Sequence, residues 1–385
     1  MKRVTGFLLL VTVLLLVPNA ASAQTGVTIT LSASSRTITF GEHVRLSGSS
    51  TGAPTGSTVQ IRNAADMPVA SVTTDGAGNF SAQFKPSGSD SYVAVLGDGV
   101  SRPVTVGVRA VVSARMGQVR LFDHVVVRGT IDPARPGSAA VVELIKDGRT
   151  VESRSVTIGA AGGFGARFTI PKPGTYRARA SFSAPDLLRD AAWTPADTTP
   201  LPRLSSGSSG RFVRLLEGRL VDLHYRLVGT KDGRYDSRTA DAVIAFHKVQ
   251  RMDRSDVVSV ATWRRLAVPI QPHARREWQG FHFEVDQTRQ VLYTVEDGDI
   301  TNVLHVSTGA GGLTHDGAFS VRAKIAGFSP NRLYYPSYFD GYRALHGWPE
   351  VPTYAASHGC VRIPYWNAKW VYGLADYGTP VVIYH

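Results

Sequence analysis

An internal repeat in the first half of this 385-residue chain sets the strongest limit on what it can fold into. The segment 42–48, Glu-His-Val-Arg-Leu-Ser-Gly, returns 81 residues later as 123–129, Asp-His-Val-Val-Val-Arg-Gly. Apolar and polar residues alternate in the first copy, so Val44 and Leu46 are expected on one face of a strand. Asp-Gly and Pro-Gly pairs divide such runs into short strands. The pattern predicts two consecutive β-sandwiches, at 27–108 and 109–197.

The two repeats resemble bacterial immunoglobulin-like domains, although the chain lacks the cysteine pair of antibody domains. The resemblance implies a spacer that sets the reach of the later domains, or else a binding module. His43 and His124 occupy matching positions in the two copies, and we predict that they are strand residues rather than ligands.

A linker and a helical segment follow the repeats. Residues 198–211 are rich in Pro, Thr, Ser and Gly, which is typical of a flexible linker. Between residues 212 and 268 the hydrophobic period becomes helical, as in Leu216, Leu220 and Leu223. The change of period predicts a small helical domain at 212–268.

Helix caps and core positions in this domain carry a family resemblance. Asp236 or Ser237 can cap a second helix, and Ser259 a third. The segment resembles the three-helix peptidoglycan-binding domain of cell-wall enzymes. The matching residues are Leu220, Asp232, Gly233, Arg234, Tyr235, Thr239, Ala242, Val243, Phe246, Thr262, Trp263, Arg264, Arg265 and Leu266. One departure is His247, which follows Phe246 where that family usually has Gln. The resemblance implies binding to cell-wall glycan.

The N-terminus has the composition of a secretory signal. Lys2 and Arg3 precede an apolar run at 7–17, and the small residues 21–23 can direct cleavage before Gln24. The run is shorter than the roughly 20 apolar residues that span a bilayer. We therefore predict a cleaved signal peptide at 1–23 and a secreted protein of the cell envelope, with an uncleaved membrane anchor as the alternative.

The charge of the chain bears on its partners. The formal net charge is +12, and the basic residues are scattered rather than gathered into a dense tract. A basic exported protein adheres to polyanions such as a bacterial envelope. Without a nucleic-acid-binding motif, the sequence favours the envelope over nucleic acid as the partner. Nothing in the sequence predicts an oligomeric state.

Residues 280–385 return to short strands and contain the only cysteine, Cys360. His358 lies two residues before this cysteine and His346 fourteen before it. A lone cysteine in an exported protein forms no internal disulfide and is open to reaction. The thiolate is the reactive form of cysteine, and a nearby imidazole is the usual means of generating it. The spacing therefore indicates a nucleophilic cysteine, with either histidine as its base.

The same segment resembles the catalytic domain of the L,D-transpeptidases, the YkuD family. The resemblance rests on Asp286, Gln290, residues 292–293 and 306–309, Thr314, Gly317, Phe319, His346, Gly347, residues 357–362 (Ser-His-Gly-Cys-Val-Arg) and residues 378–382. His315 departs from the family, which commonly has Pro there, and the loop between His346 and Ser357 is short. The resemblance implies a β-sandwich-like fold and transfer of a peptidoglycan stem peptide through a Cys360 thioester. The terminal D-alanine is released and a 3→3 cross-link forms. No cofactor is implied.

The resemblance also implies residue roles. His346 matches the family's general base, although the spacing alone favours His358, since residues two apart share a strand face. The Gly347 carbonyl is expected to orient the His346 ring. His358 is expected to shape the site and hold substrate. The remaining expected substrate contacts are Gly359, as part of an oxyanion hole with Cys360, Arg362 on a stem carboxylate, and Tyr338, with Tyr335 and Phe339, in the acyl-donor pocket. For Arg362 a structural ion pair is the alternative, and for the aromatic residues core packing.

Three other functions fit parts of the pattern. His346, His358 and Cys360 are possible zinc ligands, but a fourth ligand and a familiar spacing are missing. A non-catalytic wall-binding protein would use only the sandwiches and the helical domain. A carboxypeptidase or endopeptidase would use the same thioester with water as acceptor, and the sequence does not separate it from a transferase.

Overall fold

The computed structural model describes residues 26–229 and 231–385. The predicted signal peptide at 1–23 lies outside this range. The described chain is mainly β and contains four α-helices. None of these helices combines the length and apolar character needed to cross a membrane.

The first repeat forms two packed sheets. Its strands are β1 (Thr28–Ile29), β2 (Ser32–Ala33), β3 (Thr37–Thr39), β4 (Val44–Thr51), β5 (Thr58–Arg62), β6 (Pro68–Thr73), β7 (Asn79–Phe84), β8 (Asp90–Leu96), β9 (Gly99–Val100) and β10 (Val104–Arg109). Strand β4 pairs with β1, β2 and β7, while β5, β6, β8 and β10 form the facing sheet. Val44 and Leu46 are fully buried and Arg45 is exposed, as the alternation predicts. His43 lies just before β4 rather than in it.

The second repeat has the same two-layer arrangement, resembling an immunoglobulin-like sandwich. Its strands are β11 (Val111–Met116), β12 (His124–Asp132), β13 (Ala139–Lys146), β14 (Arg149–Thr157), β15 (Gly163–Thr169), β16 (Thr175–Ala184), β17 (Leu187–Trp193) and β18 (Asp197–Thr198). Strands β11, β12 and β15 form one sheet, and β13, β14, β16 and β17 form the other. His124 begins β12 and is exposed. One parallel bridge, Arg109 to Leu188, connects the repeats at β10 and β17.

Three helices form the next domain, as the period predicts: α1 (Arg211–Asp222), α2 (Ser237–Val249) and α3 (Val260–Ala267). The Asp236 carboxylate accepts from the first backbone N–H groups of α2, and Ser259 forms a capping box with Thr262 at α3. Both predicted caps are confirmed. Trp263 and Phe246 are fully buried at the centre of the domain.

The segment predicted as a flexible linker lies against these helices. The Trp263 Nε1–H donates to the Pro202 carbonyl at 2.8 Å, and Leu204 pairs with Val258 through two backbone hydrogen bonds. Leu204 is buried in the same core as the helices. In the structure, residues 198–211 therefore pack against the helical domain.

The last domain is a sandwich of a five-stranded and a four-stranded sheet. Its elements are β19 (Phe281–Asp286), β20 (Val291–Glu296), β21 (Asp299–His305), a 3₁₀ turn (Ala310–Gly312), β22 (Gly317–Ser320), β23 (Ala323–Lys324), β24 (Tyr334–Asp340), β25 (Arg343–Trp348), β26 (Val361–Pro364), α4 (Tyr365–Leu374) and β27 (Pro380–Tyr384). The sheet orders are β21-β20-β19-β27-β22 and β23-β24-β25-β26. Strands β19, β20 and β21 form an antiparallel meander, and both residues of its Asp297-Gly298 turn have positive φ. Apolar side chains from both sheets, including Phe283, Leu345 and Val361, fill the space between them.

Helix α4 packs on β24 and β25. Asn367, Ala368 and Val371 are its buried residues, and Trp370 and Leu374 are half-buried against the core between the sheets. The helix approaches β25 closely at Ala368. A β-carbon added at Gly347 would lie only 2.7 Å from the Ala368 β-carbon, so the close approach requires glycine at 347. The Arg226 guanidinium lies 4.0 Å from the Trp370 ring centroid.

Candidate active site

The parallel pairing of β25 and β26 places His346 on one strand and Cys360 immediately before the neighbouring strand. Leu345 pairs with Val361 and His346 with Arg362. Cys360 immediately precedes β26, so the register places it opposite Ala344 and diagonal to His346. With strands about 4.8 Å apart and a rise of about 3.3 Å per residue, such diagonal Cα atoms are roughly 8 Å apart. Side chains projecting from one face across that spacing can meet.

His346 is buried and is held in one orientation. Its Nδ1 lies 2.9 Å from the Gly347 carbonyl oxygen, the contact expected from the sequence. A carbonyl only accepts, so Nδ1 carries the proton of the neutral ring and Nε2 has a free lone pair. Burial and the Arg362 charge together lower the pKa of His346 to about 4, against the opposing effect of the Gly347 hydrogen bond. The ring is therefore neutral at pH 7 and able to accept a proton.

The Cys360 thiol is partly exposed, with the Tyr342 carbonyl oxygen 3.7 Å from Sγ. Burial raises the pKa of this thiol. A backbone hydrogen bond at Ala344 and the charges of Arg343 and Arg362 oppose the increase. The resting site therefore pairs a neutral thiol with a neutral imidazole, and proton transfer has to accompany attack by sulfur.

Residues 357–360 form a tight turn before the nucleophile. The Ser357 hydroxyl donates to the Cys360 carbonyl at 2.5 Å and accepts from the Gly359 N–H at 3.1 Å. The Gly359 N–H, which was expected to serve an oxyanion hole, is therefore bonded to Ser357 in this structure. The Cys360 N–H has no acceptor among the described residues. Thr314 fixes the other side of the turn through its hydroxyl, which donates to the Gly359 carbonyl at 2.8 Å.

The turn also removes the argument for His358 as base. Gly359 has φ +124°, so residues 358 and 360 are not related by strand alternation. His358 is exposed, whereas His346 is buried beside the neighbouring strand. The geometry therefore favours His346 over His358 as the group that meets the thiol.

The sequence did not point to Arg343, which lies directly behind the turn. Its guanidinium donates to the Leu313 carbonyl at 2.6 Å, contacts Asp340 at 3.1 Å and lies 2.9 Å from His315 Nε2. His315 Nδ1 also lies 3.0 Å from Asp340. The residue that replaces the family's usual Pro thus joins an ionic cluster against the nucleophile turn. The only sequence signal was a basic residue three positions before the predicted base.

The residues predicted to bind substrate, Arg362 and Tyr338, lie in different environments. Arg362 is half-buried over the Trp348 ring, 5.4 Å from its centroid, and has no carboxylate within 4.0 Å in the described chain. The alternative of a structural ion pair is therefore not realised. Tyr338 is half-buried and pairs with Ala344, which puts it in line with Cys360 across the sheet.

The two aromatic residues grouped with Tyr338 serve packing. Phe339 is buried against Phe319, and Tyr335 lies edge-to-face with Tyr334 and Tyr372. In the described chain, no group of three or more His, Cys, Asp or Glu side chains is close enough to hold a metal ion. The alternative zinc site therefore lacks a ligand set there.

Comparisons with known proteins place two segments in families. The model of the L,D-transpeptidase catalytic domain (YkuD) matches residues 280–383, and that of a putative peptidoglycan-binding domain matches residues 209–266. No curated protein sequence matched the chain.

Among solved structures, an L,D-transpeptidase from Xylanimonas cellulosilytica is 33% identical, covering 48% of this chain and 99% of its own, with a TM-score of 0.45. An L,D-transpeptidase from Stackebrandtia nassauensis is 25% identical, covering 49% and 97%, with a TM-score of 0.31. The catalytic domain of an E. faecium L,D-transpeptidase is 23% identical, covering 29% and 100%, with a TM-score of 0.25.

Proposed function

The chain belongs to the L,D-transpeptidase family, and we propose that it cross-links peptidoglycan stems through a Cys360 thioester. The observation that carries this proposal is the hydrogen bond of the buried His346 Nδ1 to the Gly347 carbonyl. It leaves Nε2 unprotonated on the strand beside the only cysteine.

In the first half-reaction, Cys360 Sγ forms a bond to the carbonyl carbon of the third stem residue while its proton passes to His346 Nε2. The tetrahedral intermediate collapses when the bond to the D-alanine nitrogen breaks, and His346 returns its proton to that leaving amine. The product is a thioester on Cys360.

In the second half-reaction, an amine of a neighbouring stem attacks the thioester carbonyl. Its proton goes to His346, the carbon–sulfur bond breaks, and the released sulfur takes up a proton. The new amide joins two third-position residues, which is a 3→3 cross-link. Water in place of the amine would give hydrolysis by the same steps.

The Cys360 N–H is our candidate for the oxyanion site. It has no acceptor among the described residues and belongs to the nucleophile itself. A single donor of this kind contributes about 3–4 kcal/mol in well-studied acyl transfer. Arg362 supports substrate binding in this proposal, because its guanidinium has no carboxylate partner in the described chain.

The helical domain and the basic charge fit an envelope location. We assign the helical domain to glycan binding on its match to a putative peptidoglycan-binding domain. The net charge of +12 favours adhesion to an anionic wall. We propose that the sandwich repeats set the distance between the attachment point and the stem peptides.

Incubation with tetrapeptide-stem muropeptides, followed by intact-protein and product mass spectrometry, tests the proposal. We expect an acyl adduct on Cys360, free D-alanine and cross-linked dimers, and no adduct on a Cys360→Ala variant. Tripeptides without dimers would replace the transferase with a carboxypeptidase. An adduct that persists in Cys360→Ala would remove this nucleophile altogether.

A further inference from the structure

The loop at 349–356, between the proposed base and the nucleophile turn, is held by three of its carbonyl groups. His305 Nε2 lies 2.7 Å from the Val351 oxygen, Arg254 Nη1 donates to the Thr353 oxygen at 2.7 Å, and the Ser307 hydroxyl donates to the Tyr354 oxygen at 2.6 Å. The loop runs directly into Ser357, which closes the nucleophile turn. Movement of the loop would therefore be transmitted to Cys360.

Arg254 reaches the loop from the helical domain. It follows α2, and its second nitrogen, Nη2, donates to the Thr288 carbonyl at 2.7 Å. Its planar fork thus joins two separate loops of the catalytic domain, one before β20 and one before the nucleophile. A guanidinium suits this task because its donors are fixed in one plane.

Lys248, near the end of α2, makes a second, buried connection. Its Nζ is within hydrogen-bond distance of three acceptors, namely the Gln290 carbonyl at 2.8 Å, the Val306 carbonyl at 3.0 Å and His305 Nδ1 at 2.6 Å. Because Nδ1 of His305 accepts from the lysine, its Nε2 carries the proton that is donated to the loop. Lys248 therefore fixes the tautomer that anchors Val351.

Further polar contacts connect Gln290, whose carbonyl accepts from Lys248, to the nucleophile turn. The Gln290 side chain accepts from the Thr308 N–H at 2.8 Å and donates to its hydroxyl at 2.7 Å. The Thr308 carbonyl in turn accepts from the N–H groups of Ala356 and Ser357, both at 2.9 Å. All these side chains except Arg254 are buried, and buried satisfied networks of this kind hold one arrangement.

We propose that Arg254 and Lys248 are positioning residues, through which the helical domain holds the loop 349–356 in its catalytic arrangement. Neither residue takes part in the proposed reaction itself, and both act through the loop. The catalytic part of this inference depends on the proposed function, whereas the structural part does not. The helical domain would accordingly be needed for substrate binding at the cysteine as well as for attachment to glycan.

Hydrogen–deuterium exchange on the full chain tests the structural part without any reaction. Arg254→Ala should speed exchange of the Ala356 and Ser357 amides, which donate to the Thr308 carbonyl, by roughly tenfold, with the helical core unchanged. Arg264→Ala, which removes an exposed arginine from α3 of the same domain, is the matched control and should leave the loop as in wild type. Equal exchange in Arg254→Ala and wild type would overturn the proposal.

Kinetics test the catalytic part. Arg254→Ala should raise KM for the tetrapeptide about five- to tenfold with a smaller change in kcat, and Arg254→Lys should recover part of the loss. An unchanged KM would overturn the positioning role. A wild-type protein that forms no acyl adduct would remove the proposed function, and the exchange result would still decide the structural part.

Lys248→Met tests whether the lysine fixes the tautomer of His305. If the variant retains a cooperative melt, we expect faster exchange at the Ala356 and Ser357 amides, since His305 loses the contact that fixes its Nε2 proton. Exchange at wild-type rates in a folded Lys248→Met would contradict the role of the lysine. If the variant does not fold, the Arg254 series decides the question.

Discussion

Gly359 lies directly against Arg343: a β-carbon built on Gly359 would be 3.0 Å from the arginine Nε and 2.9 Å from the Leu313 carbonyl oxygen. The glycine also has φ +124°, a conformation that other residues adopt only with strain. Backbone conformation and lack of space therefore both require glycine immediately before the nucleophile. The Arg343 guanidinium is in turn held by Leu313 and Asp340, so it has little freedom to move away.

Replacing this glycine should disable the site. We expect Gly359→Ala to reduce acylation by the tetrapeptide at least a hundredfold and to lower the free energy of unfolding by about 1–3 kcal/mol through backbone strain. Gly373→Ala is the control, because Gly373 lies in α4 with open space around its Cα, where alanine is neutral or mildly stabilising. Wild-type acylation by Gly359→Ala would show that the turn adapts to a side chain.

The two histidines near the cysteine should differ strongly in their effect on rate. His346→Ala removes the buried imidazole that we assign as general base, and we expect acylation to fall by about 10²–10⁴-fold. His358→Ala removes an exposed side chain and should cost much less, mainly in KM. Single-turnover acylation followed by mass spectrometry measures both, and the opposite ranking would exchange the two roles.

The protonation states of the site predict a distinctive pH dependence. Burial raises the pKa of the Cys360 thiol and lowers that of His346 to about 4, so both groups are neutral through the physiological range. Iodoacetamide alkylation should therefore rise as pH increases through the elevated thiol pKa, without a plateau of reactive thiolate between about pH 5 and 7. Protonation of His346 should reduce enzymatic acylation only as pH falls towards 4.

Arg362→Gln sharpens this test. The arginine charge lowers the pKa of Cys360, so its removal should move the alkylation curve to still higher pH. The same charge lowers the pKa of His346, which should rise in the variant. An alkylation plateau near pH 5–7 in the wild type would indicate a preformed thiolate–imidazolium pair and would contradict the neutral resting state.

Local signals in the sequence predicted much of the fold and the centre of the site. Alternation located β4, the helical period located α1–α3, and the capping residues Asp236 and Ser259 were identified because each cap acts within three residues. The Ser-His-Gly-Cys-Val-Arg run and the upstream histidine similarly depend on one pair of adjacent strands.

Contacts between distant segments were not predictable in this way. Arg343 contacts Leu313 and His315 of another loop. Lys248 donates to the Gln290 and Val306 carbonyls across a domain boundary. The departure at His247 also has its explanation only in three dimensions, since its ring lies 2.7 Å from the Ser255 carbonyl and 3.0 Å from the Thr262 hydroxyl. No sequence period records which partners such side chains meet.

Ser357 offers a final test of the nucleophile turn, because one hydroxyl makes both of its closing hydrogen bonds. Ser357→Ala leaves the Gly359 N–H and the Cys360 carbonyl without this partner, and the loss should destabilise the chain by about 1–2 kcal/mol. We expect acylation to slow by roughly ten- to a hundredfold, since a misplaced nucleophile loses its near-attack geometry. Ser357→Thr retains the hydroxyl and should stay close to wild type in both thermal unfolding and acylation. If alanine and threonine behave alike, the turn is held by Thr308 and Thr314, whose contacts to the backbone at 356–359 remain in both variants.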